Sequence, residues 1–300
     1  MKQTKPVLAV IAAGVLWGII SIFVKKLSSS AIDPLQISLI RMLIAAVCFS
    51  LFVLIKDRSK FKIKWKDLWM FACTGIVSIV LFNTCYFYTT IHSQASIAVV
   101  LLYTSPVFVM IFSAIFFKEK ITLKKIIALI LTICGCVLVA GVIGGNVTIA
   151  PLVFLTGIAS GLFYALYSIF GEIALRKYDT MTVTVWTFIF GLIGSLPLGK
   201  PAATFRALSS EPILILYAFG IGILSTVLPY FLYTWGLGRM ETSKAAILVA
   251  VEPLVGCVIG MTLFHEPHNI QKILGIVLIL ASIILLNLKL KKSSYFINTK

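Results

Sequence analysis

The chain has 300 residues, 60% hydrophobic and 12% charged, with a mean hydropathy of +1.07 and a formal net charge of +16. A soluble domain of this length cannot hide that much apolar surface in one core, which excludes a water-soluble globular enzyme. The basic residues sit in short loops between apolar runs, without the interleaved aromatics of a nucleic-acid module, so no nucleic-acid partner is expected.

Ten apolar runs follow one another, each near the ~20 residues that a ~30 Å hydrocarbon layer asks of a helix. The first, 7–27, carries Gly14, Trp17 and Ser21 and ends on Lys25 and Lys26, read as snorkelling lysines. Trp17 and the length of the run argue against a cleaved signal peptide. The second, 34–55, contains Arg41. A charge at that depth costs at least ~2.5 kcal/mol on insertion scales, so Arg41 is expected to face the interior and to have a partner. It reads either as a positive pole for a substrate carboxylate or phosphate, or as half of a structural ion pair. The third run, 68–90, contains Asn83, which needs partners across helices or on a substrate, and Tyr86. The fourth, 95–117, contains Tyr103 and Ser105-Pro106 and is closed by Glu119, and the fifth is 122–143.

The sixth run, 151–175, holds Gly161, Tyr164, Tyr167 and Ser168. The seventh is 181–199, and the eighth, 212–236, carries Tyr230, Tyr233 and Trp235, read as belt aromatics at a membrane interface. The ninth, 245–264, places Glu252 directly before Pro253, where the missing backbone donor predicts a kink beside the carboxylate. Glu252 reads as a gate or proton site, or as the structural partner of Arg41. The tenth run is 270–290. Between these last two, Glu266 lies beside His265 and His268 and reads, like Glu119, as interfacial. Six cysteines all lie in apolar runs and are taken as small buried residues, so neither a metal nor another cofactor is expected.

Of the 26 Lys and Arg, twenty fall in the even-numbered connections and the tails, five in the odd-numbered connections, and Arg41 inside a span. That bias predicts both termini in the cytoplasm of a multi-pass protein of the cell membrane. The chain also repeats itself at an offset of 147 residues. Gly14, Ser21, Ile22 and Phe23 return as Gly161, Ser168, Ile169 and Phe170, and Trp17 becomes Tyr164. Gly75/Gly222, Ser78/Ser225, Tyr86/Tyr233, Ser96/Ser243, Pro106/Pro253, Glu119/Glu266 and Lys125/Lys272 match likewise. Five spans per half is an odd number, so the halves, 1–145 and 146–300, should be inverted, an arrangement common in secondary transporters.

The motifs Trp17-Gly18, Arg41-Met42-Leu43-Ile44-Ala45-Ala46, Ser105-Pro106-Val107-Phe108 with Phe117-Lys118-Glu119-Lys120, and Val251-Glu252-Pro253-Leu254 occur in one order across both halves. Together they resemble the EamA family of the drug/metabolite transporter superfamily, from about 7 to 288. The resemblance implies an all-α, basket-shaped carrier of ten transmembrane helices in two inverted five-helix repeats. It implies export of amino acids or related metabolites by alternating access around a central cavity. Small multidrug relatives carry a proton-coupling glutamate in their first span; this first span has no acid, so that mechanism does not transfer. The expected site residues are Trp17, Ser21, Arg41, Asn83, Tyr86, Tyr103, Tyr164, Tyr167, Ser168 and Glu252. The expected partners are a small-molecule substrate, the lipid bilayer and a coupling proton, with the chain a monomer. The competing reading, a membrane enzyme acting on lipid or phosphorylated substrates, would need clustered carboxylates or histidines, and catalytic residues are expected to be none.

Overall fold

A computed structural model describes residues 4–30, 32–93, 95–141, 149–265 and 270–288, the side chains of 95 and 96 excepted. All regular structure among them is helical. Among the described residues nine helices are long and apolar enough to cross a membrane: α1 (Thr4–Ser28), α2 (Pro34–Lys56), α3 (Trp65–His92), α4 (Ile97–Phe117), α5 (Leu123–Ala140), α6 (Pro151–Leu175), α8 (Pro212–Leu237), α9 (Thr242–Leu263) and α10 (Ile270–Asn287). Between α6 and α8 lies α7 (Thr180–Ser195), apolar but shorter. At ~1.5 Å per residue it spans about 24 Å, less than a full hydrocarbon layer. Glu266 and His268 lie outside the described residues.

Local chemistry sets the helix starts. Asp33 accepts from the Gln36 N–H while the Gln36 side chain accepts from the Asp33 N–H, a capping box with Pro34 in the first turn. Thr122 caps α5 by accepting from the Lys125 N–H, and Asp179 caps α7 by accepting from the Met181 and Thr182 N–H groups. Outward faces stay apolar, as at Leu51, Ile55, Leu155, Leu216 and Ile284, which is the surface lipid asks for.

Two irregularities recur in both halves. Helix α3 passes through a π-helical stretch, Cys73–Val80, and α8 through another, Ile223–Val227. With the 147-residue offset these fall on one another. Each is tied by a hydroxyl reaching back five residues: Ser78 to the Cys73 carbonyl at 2.8 Å and Thr226 to the Ile221 carbonyl at 2.9 Å. Helices α4 and α9 are both interrupted, at 103–104 and 249–250. The expected kink at Glu252 therefore lies two residues earlier. Glu252 and Pro253 occupy the first turn of the resumed segment Val251–Leu263, where the missing proline donor costs nothing and the helix dipole favours a carboxylate.

The packing respects the repeat. α1 lies on α8 as α6 lies on α3, α1 on α9 as α6 on α4, and α2 on α7, α4 on α9 and α5 on α10. Glycines permit the close crossings, as expected of Gly14, Gly75, Gly161 and Gly222. A Cβ on Gly14 would lie 2.4 Å from Val251 and 2.9 Å from the Val249 carbonyl, at the break in α9. One on Gly161 would lie 2.5 Å from Thr104, at the break in α4.

Candidate substrate cavity

Helices α1 and α6 meet α3 and α8, beside their π-helical stretches, around a small cavity between the halves. Trp17, Ser78, Phe82, Tyr164, Tyr167 and Ser168 line it, closed by Tyr230 and Tyr233. Its space open to the centre of a water molecule is about 10 Å³, room for about one water. The walls are aromatic and fixed edge to face: Trp17 to Tyr230 at 5.0 Å, Tyr167 to Tyr230 at 5.2 Å and Phe82 to Tyr164 at 5.2 Å between ring centres. The phenol groups are held as well. Tyr167 Oη and Thr234 Oγ1 share a proton at 2.7 Å, as do Ser168 Oγ and Tyr233 Oη.

Of the ten residues expected from the sequence, Trp17, Tyr164, Tyr167 and Ser168 reach this cavity, and six stand off it. Arg41 is buried behind it, 6% exposed, and its Nε donates to Thr226 Oγ1 in the α8 π stretch at 3.0 Å. Glu252 is half-buried and accepts from Tyr164 Oη at 3.4 Å. Among the described residues Arg41 makes no ion pair within 4 Å, so the direct Arg41–Glu252 pair considered from the sequence does not form, although Glu252, Tyr164 and Tyr230 all act electrostatically on Arg41. Tyr103 is buried with its hydroxyl beside the Glu252 carboxylate, close enough to act on it but outside good hydrogen-bond geometry. Asn83 is committed to Ser38 across α2 and α3 at 2.9 Å, the interhelical alternative. Ser21 bonds its own helix at the Gly18 carbonyl, 3.5 Å. Tyr86 packs on Phe82, one ring removed from the cavity.

Tyr230 and Tyr233, read as belt residues, are the correction in the other direction: both are buried in the cavity wall. Their distance from the end of a run was the wrong measure. The better signal was the repeat, which aligns Tyr230 with Asn83 and Tyr233 with Tyr86. Glu119 also does more than expected of an interfacial residue. It accepts from the Thr242 N–H at 2.6 Å, from the Ser243 N–H at 3.2 Å and from the Ser243 hydroxyl, so the end of α4 caps the start of α9. Lys125 closes the cluster, at 3.4 Å from Glu119 and 2.9 Å from Glu241. Among the described residues no three His, Cys, Asp or Glu side chains come together as metal ligands would.

Comparison with known proteins agrees with this architecture. A solved crystal structure superposes with a TM-score of 0.78 at 17% identity, over 95% of this chain and 97% of the other, a likeness of fold. A protein of Archaeoglobus fulgidus named an uncharacterized transporter is 28% identical over 89% of this chain and 93% of its own length. The uncharacterized inner membrane transporter YicL of Salmonella typhimurium is 27% identical over 95% of each chain. The sequence model of the EamA-like transporter family matches twice, over residues 4–141 and 151–288. The chain is a multi-helix membrane protein and belongs to the EamA-like transporter family.

Proposed function

We propose that the protein is a secondary active transporter that exports amino acids or related small metabolites by alternating access about this cavity. The observation that carries the reading is the cavity itself: an aromatic chamber at the junction of two repeated halves, flanked by a buried guanidinium and a carboxylate. In a state where the chamber widens beyond its present room for one water, a guanidinium and a carboxylate near the same rings suit a small zwitterion whose apolar part stacks on Trp17, Phe82 and Tyr230. Arg41 meets the carboxylate end, and Glu252 meets the ammonium or carries a coupling proton. In this reading α7 is the tenth span, the halves divide near residue 145, and each half of five spans is inverted relative to the other. The charge bias between connections places both termini in the cytoplasm. A monomer suffices, because both halves of the site come from one chain.

The test is transport by the purified chain in liposomes loaded with labelled amino acids, with and without an imposed proton gradient. The expected result is gradient-dependent movement of at least one amino acid, lost in Arg41→Gln and lost only in its gradient dependence in Glu252→Gln. No movement of any amino acid by folded protein would overturn the substrate class.

A further inference from the structure

A second cavity, of about 280 Å³, shares no lining residue with the aromatic chamber. Lys124, Lys125, Arg239 and Lys244 converge on it, with Glu241 as the acid in its wall. Two of the four cations are already spent. Lys124 donates to the Leu286 and Leu288 carbonyls at the end of α10, at 3.2 and 2.6 Å. Lys125 is shared between Glu119 and Glu241, one cation against two acids, so that with Lys124, Arg239 and Lys244 the cluster sets four positive charges against two negative. Arg239 lies flat over Trp235 at 4.4 Å and gives one terminal N–H to the Trp235 carbonyl, leaving other donors free. Lys244 is half-buried and makes no ion pair or hydrogen bond among the described residues, and Lys124 is the cation that acts on it most. The pocket thus holds a surplus of positive charge, part of it withdrawn from water, a state that favours binding an anion.

The repeat supplies an internal control. The residues equivalent to Arg239, Glu241, Lys244, Lys124 and Lys125 are His92, Gln94, Ile97, Gln271 and Lys272. The cluster is therefore peculiar to one end of the molecule. A charge that only set orientation would need no pocket, whereas Lys244 is half enclosed in one. The remaining walls are Thr122, which caps α5, and three apolar residues: Val7 on α1, Met240 just before α9, and Leu286 on α10. Next to them Leu8, Ile284 and Leu288 are more than half exposed on the outer surface. A cationic floor that opens onto an apolar outer face matches a phosphate headgroup with acyl chains running down the helices.

We propose that this pocket binds the phosphate of an anionic phospholipid, held by Lys244 and Arg239. The proposal depends on the orientation given above only for which leaflet supplies the lipid. The test uses full-length protein in an uncharged detergent, so it is blind to orientation and to transport. Its melting temperature is followed against dioleoyl-phosphatidylglycerol, dioleoyl-phosphatidylcholine and glycerol 3-phosphate. Phosphatidylglycerol should raise the melting temperature in a saturable way, as a ligand of the folded state does. Lys244→Gln and Arg239→Gln should each weaken its apparent affinity about fivefold, the usual worth of one basic residue at a charged lipid surface, while Lys244→Arg and Lys62→Gln leave it unchanged. Equal shifts from both lipids would overturn the proposal, as would an undiminished phosphatidylglycerol shift in the two glutamine variants. Glycerol 3-phosphate matching the lipid would assign the pocket to a soluble anion and overturn the lipid assignment.

Discussion

Arg41 and Glu252 are each satisfied by a neutral hydroxyl, Thr226 and Tyr164, rather than by one another. That separation has consequences for mutants. Were they an ion pair, removing one would strand the other, and the double neutral variant would recover. Here the expectation is the reverse. Arg41→Gln should cut transport at least about tenfold, the worth of a lost charge-assisted hydrogen bond of ~1.5–3 kcal/mol, and Arg41→Gln/Glu252→Gln should recover nothing. Transport normalised to folded protein checks this; wild-type activity in the double variant would restore the ion-pair reading. Tyr103 offers a second case. Its hydroxyl is buried beside the Glu252 carboxylate but outside good hydrogen-bond geometry, so Tyr103→Phe should change the melting temperature by no more than the equivalent of about 1 kcal/mol in either direction. The sequence made the cost of Arg41 visible because insertion energetics act on a single residue. It could not show Asn83 turning to Ser38 rather than to the cavity, because a partner 45 positions away is a matter of packing.

Helix crossings and loop tethers are where stability should be most sensitive to small changes. A Cβ at Gly75 would lie 2.4 Å from the Thr187 carbonyl and 2.6 Å from the Gly191 nitrogen, both backbone and unable to swing aside. Gly75→Ala should therefore cost ~1–3 kcal/mol through overpacking, read as a lowered melting temperature. At Gly256 the nearest atom would be 3.8 Å away, so Gly256→Ala should be close to neutral. The loop after α2 is tied down by charge: Lys60 meets Asp179 at 2.8 Å. The bond to Asp179 holds Lys60 above its usual range. Burial pushes Asp179 up, but Lys60 and the Thr182 and Met181 N–H groups outweigh it and leave it lowered. A lowered carboxyl stabilises above its unfolded pKa and loses that as pH falls through the folded value; a raised amine stabilises below its unfolded pKa and loses that as pH rises through the folded one. The tether should hold from about pH 4 to about pH 10. Amide protection factors in residues 58–66, corrected for the intrinsic pH dependence of exchange, should fall below about pH 4, and Asp179→Asn should lower them likewise at neutral pH. Spans and breaks were legible at this scale wherever hydropathy or proline marked them, but the π-helical turns were not: Cys73–Val80 reads as one more apolar stretch, with no residue type that announces a wider turn.

The two halves are alike in sequence but not in hydrogen bonding. Ser168 is joined to Tyr233, whereas their counterparts Ser21 and Tyr86 are not joined to each other. If the halves exchange roles during transport, the Ser21–Tyr86 bond forms in the opposite state as Ser168–Tyr233 breaks. Tyr233→Phe should then disfavour the present state about fivefold, one hydrogen bond of ~1 kcal/mol, and Tyr86→Phe should favour it by a similar factor. A cysteine at Ser78, probed with thiol reagents from each side, reports the shift; both variants moving it the same way would rule the exchange out. Orientation is tested with cysteines at Lys62 and Lys200, of which only the second should react from outside intact cells. The repeat and the family motifs reached this scale directly from the sequence, since they are sums over many residues and no one contact decides them. The paired π turns have a further consequence. A π turn carries one residue more than an α turn, so it is a register defect that can travel. Each residue it passes is rotated by ~100° and carried ~1.5 Å along the axis, while the ends of the helix stay where they are. Helices α3 and α8 each hold one such defect beside the chamber. Moving it by a turn would swing a wall residue in or out of the chamber as a cam turns a follower, with both loops at rest.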